Sequence, residues 1–407
     1  MPTYPSQDGP QAGGLARPLS LLFIAGVAMR MTLLVMPPVI PLVHDELHMS
    51  ETQVGLLVGL PLAVFAVAAV PGSLLIARIG ATLAVTLGMT IAAIAGGARA
   101  AAVDVWTLYA AAIVSGFGVA LMQPGMPTLV RDWLPKHIAF GTIGYSSGML
   151  MGATFPAVFT IGYVLPAVGG SWRLDVVLWA LPAILIAPVF LFLSPKESHA
   201  GSDVASASMG RWWPDWKNPV VWLLGFTFAS NNSPYFVTSA FLGDYLVTLG
   251  KPELLGSALG WLNGSQIVAL AVLFLTADRL HMRAWPFLVF GPLMLVAFLV
   301  IIFVKSSIAI LVATAVIGIA AAVTMTAILA LPAFLSRPDD VPRTAAGMFT
   351  VSYTCAIIVP TVCGALWDLT GRPWTAFVPL CICAVALTVL GTIVTRFRLP
   401  AETRPGR

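Results

Sequence analysis

A chain of 407 residues that is 58% hydrophobic and only 9% charged, with mean hydropathy +0.93, is far from the soluble globular balance of about a quarter charged residues. This excludes an ordinary soluble enzyme. The formal charge of +4 comes from 21 Lys+Arg against 17 Asp+Glu, and the cations stand singly between apolar runs. That scatter argues against nucleic acid as a partner and reads as membrane topology.

The first 18 residues (1–18) are polar and rich in Gly and Pro, with no signal-peptide core, so they are expected to be a cytoplasmic tail before a retained first helix. A spanning helix needs about 20 predominantly apolar residues. Six such runs follow, at 19–43, 53–76, 82–98, 105–129, 140–168 and 172–193. The longest polar interruption, 194–218, carries Lys196, Glu197, His199, Asp203 and Pro214 and is the expected cytoplasmic linker. Its Trp212, Trp213 and Trp216 beside Arg211 and Lys217 suggest a segment lying at the bilayer interface. Six further runs occupy 219–247, 254–277, 286–304, 308–335, 344–367 and 374–397, before a second tail at 398–407. The expected fold is an all-α membrane protein with twelve transmembrane helices, arranged as two six-helix bundles, 19–193 and 219–397.

With the N-terminus inside, 15 cations fall on cytoplasmic segments and five, Arg99, Arg173, Lys251, Lys305 and Arg372, on the opposite side. The positive-inside rule then puts both termini in the cytoplasm. The remaining cation is Arg30.

The two halves repeat. A shift of 201 lays Ala77-Arg78-Ile79-Gly80 on Asp278-Arg279-Leu280-His281 and carries Gln123 onto Thr324. A shift of 206 lays Ala139-Phe140-Gly141 on Ala345-Ala346-Gly347, and one of 202 lays Gly169-Gly170-Ser171-Trp172 on Gly371-Arg372-Pro373-Trp374. Parallel repeats of this kind are an architecture of secondary transporters with a site at the midplane.

On these features the chain resembles the major facilitator superfamily over nearly its whole length. That family's loop G-x-x-x-D-R-x-G-R-R between helices 2 and 3 survives as Arg78-Ile79-Gly80, with Ser73 in the Gly position and Ala77 in the Asp position. The second copy keeps Asp278-Arg279 and adds Arg283. The resemblance implies alternating access, with Arg78, Asp278 and Arg279 as gating residues whose ion pairs are only partly available. Within the superfamily the chain is most similar to the cyanate permease-like branch. The residues that carry this are Arg30, Pro37-Pro38, Pro41-Leu42, the segment 50–57, Leu60-Pro61, Arg99, Gly116-Phe117-Gly118, Pro124, Pro127 and Arg131. Two ladders spaced by four, Gly144, Gly148, Gly152 and Gly256, Gly260, Gly264, offer flat faces for close helix approach. The resemblance places helices 5 and 8 together between the halves, and packing within each half is the alternative.

Arg30 is the strongest site signal. It is the twelfth residue of a run of about 25, near the bilayer midplane, where an unpaired cation costs about 2.5–3.5 kcal/mol on insertion scales. No acid lies at its depth; Asp175 and Asp244 sit towards helix ends. The natural counter-ion is an anionic substrate gripped by the guanidinium fork. The structural alternative has Arg30 bonding helix carbonyls or pairing with Asp175 or Asp244 when a gate closes.

Asn231 is the repeat mate of Arg30 (30 plus 201) and belongs to a stripe of Thr227, Asn231, Tyr235 and Thr238. One Arg facing one Asn suits a small monoanion better than a dicarboxylate. Asn232, Gln123, Thr324, Asn263, Gln266, Tyr145 and Tyr353 are further candidates for substrate contact, for each of which interhelical bonding is the alternative. Asp175 and Asp244 are coupling candidates.

The chain has no P-loop, no H-E-x-x-H, no nucleophile–base pair in an apolar cavity, and none of its five histidines within a predicted helix core. Cys355, Cys363, Cys381 and Cys383 lie in apolar stretches and read as packing residues. No enzymatic activity, cofactor or metal is expected. The expected function is secondary active transport of a small monoanion of cyanate, nitrite/nitrate or small carboxylate type, with a co-transported proton optional. The expected setting is a monomer in a bacterial inner membrane. The alternatives are proton-coupled efflux of a drug-like or neutral compound and a non-transporting membrane sensor.

Overall fold

Two adjacent prolines decide how the first helix is built. In the computed structural model, α1 (Ala12–Leu34) stops at Val35 and α2 (Met36–Leu47) continues the rod. Pro37 and Pro38 have no N–H to offer the carbonyls of Leu33 and Leu34, so the expected single helix 19–43 is broken at that point. The structure describes residues 12–134, 137–195, 214–276, 283–336 and 341–396, and every regular element among them is helical.

The helix α3 (Glu51–Ile79) opens on a capping box, in which Ser50 Oγ accepts from the Gln53 N–H (3.3 Å) and Gln53 Oε1 from the Ser50 N–H (2.9 Å). It is followed by α4 (Ala81–Ala98), a 3₁₀ turn Arg99–Ala101, and α5 (Val105–Trp133), whose first turn is capped by Asp104. Then come α6 (Ile138–Phe159), a π-turn Thr160–Val164 and the single turn α7 (Leu165–Ala167). Pro166 explains the π-turn, because its ring and missing N–H disturb the ladder at the preceding turn. The first half closes with α8 (Trp172–Leu193), as expected from its apolar run.

The second half contains α9 (Pro219–Thr248), α10 (Leu255–Thr276), α11 (Trp285–Phe303), α12 (Ser307–Leu335), α13 (Val341–Thr370) and α14 (Val378–Arg396). Among the described residues, nine helical stretches are long and apolar enough to cross a membrane. The helix α9 falls short of that measure for an instructive reason: it is buried nearly all round and carries Thr227, Ser230, Asn231, Asn232, Ser233, Thr238 and Ser239 inside the protein. Its polarity faces neighbouring helices instead of lipid.

The halves meet along two seams, α3 against α13 and α6 against α10, with α2 against α9 between them. On the first seam, a Cβ at Gly55 would strike the Pro360 carbonyl oxygen and one at Gly364 the Glu51 carbonyl, so small residues set that approach. The glycine ladders do not face each other. Gly148 and Gly152 lie against the Phe23 and Val27 carbonyls of α1, inside their own half, while Gly256 and Gly260 meet the side chains of Ile161 and Val158.

Several boundaries move. The helix α1 begins at Ala12, inside the expected tail, and Arg17 Nε donates to the Leu193 carbonyl at 2.8 Å. Of the expected linker, Pro214–Asn218 is described together with 194–195, and the Trp216 carbonyl there accepts from Trp222 Nε1 (2.9 Å). Trp212, Trp213, Asp278 and Arg279 lie outside the described residues. Arg78 ends α3 on an exposed surface.

Candidate functional site

Arg30 sits near the middle of the rod Leu15–Leu47, half-buried, with its guanidinium 5.9 Å from the Phe236 ring centroid of α9. It is close enough to Tyr235 on α9 and Tyr353 on α13 to interact electrostatically with both. Among the described residues no carboxylate lies within ion-pair distance of it. The first-half cation thus faces aromatic and phenolic groups supplied by the second half.

Those groups are held firmly. Tyr353 packs edge-on against Phe65 of α3 (5.3 Å between centroids) and stacks on Phe349 (5.9 Å), with Gln123 of α5 beside its hydroxyl. Tyr235 donates to Asn263 Oδ1 at 2.7 Å, Asn263 Nδ2 bonds the Leu259 carbonyl, and Gln266 adjoins the same phenol. Arg30, Gln123, Tyr235, Tyr353, Asn263 and Gln266 therefore form one neighbourhood.

Asn231 and Thr324 form a second one. Thr324 Oγ1 donates to Asn231 Oδ1 at 2.7 Å, and Asn231 Nδ2 donates to the Ala321 carbonyl at 3.3 Å. The pair ties α9 to α12 and uses half of the amide's hydrogen-bonding capacity. Asn232 is buried with no partner for its Nδ2. Among the described residues no hydrogen bond or ring contact joins Tyr145 to Arg30; its backbone carbonyl is what Gly26 packs against.

Neither acid proposed as a partner of Arg30 plays that part. Asp244 Oδ2 lies 3.0 Å from His44 Nδ1, and Glu51 Oε1 is 4.0 Å from the same nitrogen. Asp368 accepts from the Glu51 N–H (3.0 Å) and the Thr52 N–H (2.8 Å) at the start of α3. His44 and Glu51 come from the first half, Asp244 and Asp368 from the second, so these bonds fasten the halves at one end of the bundle. Asp175 is fully buried in α8 close to Trp179 and Thr160, whose side chains bond each other at 2.8 Å, and neither of its carboxylate oxygens has a hydrogen-bond partner.

Arg99, counted above among the cations opposite the termini, is deeply buried. It is 1% exposed, and its Nη1 donates to the Thr32 carbonyl (3.0 Å) beside the break between α1 and α2. His44 was missed because it lies just beyond the apolar run, although it stands almost one repeat from Asp244.

Membrane-length helical rods from both halves of a repeated chain, with a half-buried arginine at mid-rod beside aromatic side chains of the other half, define an integral membrane transporter. The chain belongs to the Major Facilitator Superfamily, whose family model matches residues 21–276. It is 23% identical over 385 residues to the cyanate transport protein CynX of Escherichia coli, covering 93% of this chain and 98% of that one. It is also 23% identical over 238 residues to the 2-nitroimidazole transporter of the same organism, covering 57% of this chain and 59% of that one. Among solved structures, a D-xylose-proton symporter superimposes with TM-score 0.72 at 13% identity, over 94% of this chain and 96% of that one. An inward-facing bacterial homologue of the lysosomal transporter Spinster does so with TM-score 0.68 at 17% identity, over 95% of each chain. These structural likenesses concern the fold.

Proposed function

We propose that the protein is a secondary transporter of a small monoanion, of the cyanate, nitrite/nitrate or small carboxylate kind, bound by Arg30. One observation carries the reading. A half-buried guanidinium at mid-rod faces Tyr235, Tyr353 and Phe236 from the opposite half, with no carboxylate beside it among the described residues. A single cation with only neutral side chains near it holds one negative charge and makes no provision for a second. Because the ring is drawn from both halves, anion binding draws them together, as alternating access requires. The whole-length similarity to a cyanate transport protein supports the same substrate class.

In this reading the two halves are the units 19–193 and 219–397, both termini are cytoplasmic, and the protein works as a monomer in a bacterial inner membrane. The end fastened by His44, Asp244 and Asp368 is then the outer end, closed in this structure. Uptake of an anion into a negative interior is opposed by about 2.3 kcal/mol per 100 mV, so it runs with a proton or by exchange.

The test is flux in proteoliposomes with a panel of cyanate, nitrite, nitrate and acetate, for wild type and Arg30→Gln. Anion flux abolished by Arg30→Gln is the expected result, and flux left intact would remove the proposal. A second reading, proton-coupled efflux of a neutral heteroaromatic compound, draws on the rings of Phe65, Tyr235, Phe236 and Tyr353 near the same site. It predicts proton-gradient-driven transport of a nitro-heteroaromatic that is insensitive to Arg30→Gln.

A further inference from the structure

Arg99 has five N–H donors and, among the described residues, makes one hydrogen bond, to the Thr32 carbonyl, with its Nε–H buried without an acceptor. No carboxylate among the described residues pairs with it. Capping the broken end of α1 accounts for one donor and leaves a cation in the apolar interior, which is costly without a counter-charge. The same side chain lines a cavity between α1, α2, α3, α5 and α9, whose wall includes Pro37, Leu62, Ala112, Phe236 and Ser239. Apart from Arg99 the wall is almost entirely apolar, with the Ser239 hydroxyl as an exception.

We infer that this cavity is a second anion-binding site, with Arg99 as its charge. The occupant is a compact monoanion, because the wall provides one cation and no group to neutralise a second charge or satisfy a polyhydroxylated substrate. The site lies further along the first rod than Arg30, towards the end that His44 and Asp244 fasten, since Arg99 bonds Thr32 and the wall continues through Met36 and Pro37. Phe236 stands between the two: its ring receives the Arg30 guanidinium and its side chain also lines the Arg99 cavity. An anion arriving from that end meets Arg99 first, passes Phe236 and reaches Arg30. The inference adds a stop on the route of the proposed anion reading and stands on separate residues.

The experiment is equilibrium binding of radiolabelled thiocyanate, a linear monoanion, to the purified full chain in detergent. Wild type is expected to bind two per chain, and Arg99→Gln and Arg30→Gln one each. Ala112→Leu, which fills the cavity without touching the Arg99–Thr32 bond, is expected to weaken the same site as Arg99→Gln by tenfold or more, and keeps the test open if Arg99→Gln fails to fold. Two sites persisting in folded Arg99→Gln, or wild-type stoichiometry and affinity unchanged in Ala112→Leu, would overturn the inference, as would an absence of binding to wild type. A wild type with one site, lost in Arg99→Gln and kept in Arg30→Gln, supports the Arg99 site and sinks the Arg30 reading instead.

Discussion

His44 Nδ1 and Asp244 Oδ2 meet at 3.0 Å although the residues are 200 positions apart, so each stands almost where the other would be under the internal repeat. The two halves are fastened through near-equivalent points. A hydrogen bond involving a charged group contributes about 1.5–3 kcal/mol, which corresponds to roughly tenfold to a hundredfold in a two-state ratio. Asp244→Asn or His44→Ala is therefore expected to shift the population by that order towards a form open at this end. Spin labels at exposed Asp45 and Val247 report it as a longer distance distribution; an unchanged distribution would assign the pair to packing alone.

Asp368 works on the same closure by different means. Its carboxylate accepts from the Glu51 and Thr52 N–H groups at 3.0 and 2.8 Å, capping α3 from a helix of the other half. Removing a capping side chain costs about 0.5–2 kcal/mol. In this geometry the loss falls on the closed state, because only there does the cap come from α13. Asp368→Ala should open the same label pair by a smaller amount than Asp244→Asn, with little change in the thermal stability of either half.

The contrast between these contacts and the rods marks what local sequence can carry. The helices were legible from apolar runs, and α8 begins and ends where its run does, at Trp172 and Leu193. Arg30 was legible because a charge in the middle of such a run has no local explanation. The break at Val35 was written in Pro37 and Pro38 but overruled by the apolar run around it. The burial of Arg99 was not legible because residues just past a helix end read as loop, whereas the 3₁₀ turn it begins brings its side chain onto the Thr32 carbonyl of α1. Asp368 meets Thr52 across 316 positions, and a pairing of that kind leaves no periodicity to detect.

Glycines with similar helical settings should respond in opposite ways. A Cβ at Gly148 would overlap the Phe23 carbonyl oxygen, a backbone atom that cannot rotate away. A Cβ at Gly264 meets nothing within 4 Å. Gly148→Ala is thus expected to lower the melting temperature by several degrees or prevent folding, and Gly264→Ala to be neutral or stabilising by up to about 1 kcal/mol from helix propensity. Thermal unfolding in detergent, followed by intrinsic fluorescence, distinguishes them.

The Asn231–Thr324 bond allows structural and binding roles to be separated. Thr324→Val removes a buried donor at 2.7 Å and leaves Asn231 Oδ1 unpaired, at a cost of about 1–3 kcal/mol in stability. If Asn231 only ties α9 to α12, KM for the anion stays at the wild-type value in whatever fraction remains folded. Because the proposed site lies at Arg30, Tyr235 and Tyr353, Asn231→Ala and Thr324→Val are both expected to act on stability with KM unchanged, and a several-fold rise in KM for Asn231→Ala would extend the site to Asn231.

Arg30 is best probed by keeping its charge and changing its shape. Lysine offers a point charge where arginine offers a planar fork able to make two parallel bonds to an anion. Arg30→Lys is expected to transport with KM raised about tenfold, a loss of roughly 1.4 kcal/mol in anion binding, and Arg30→Gln to fail. The two variants also separate binding from energetics. Imposing about 100 mV, inside negative, opposes uncoupled anion entry by about 2.3 kcal/mol, so wild type and Arg30→Lys should both lose accumulation on collapsing a proton gradient if a proton travels with the anion. Accumulation that follows the internal concentration of a second anion, and ignores the proton gradient, would establish exchange instead.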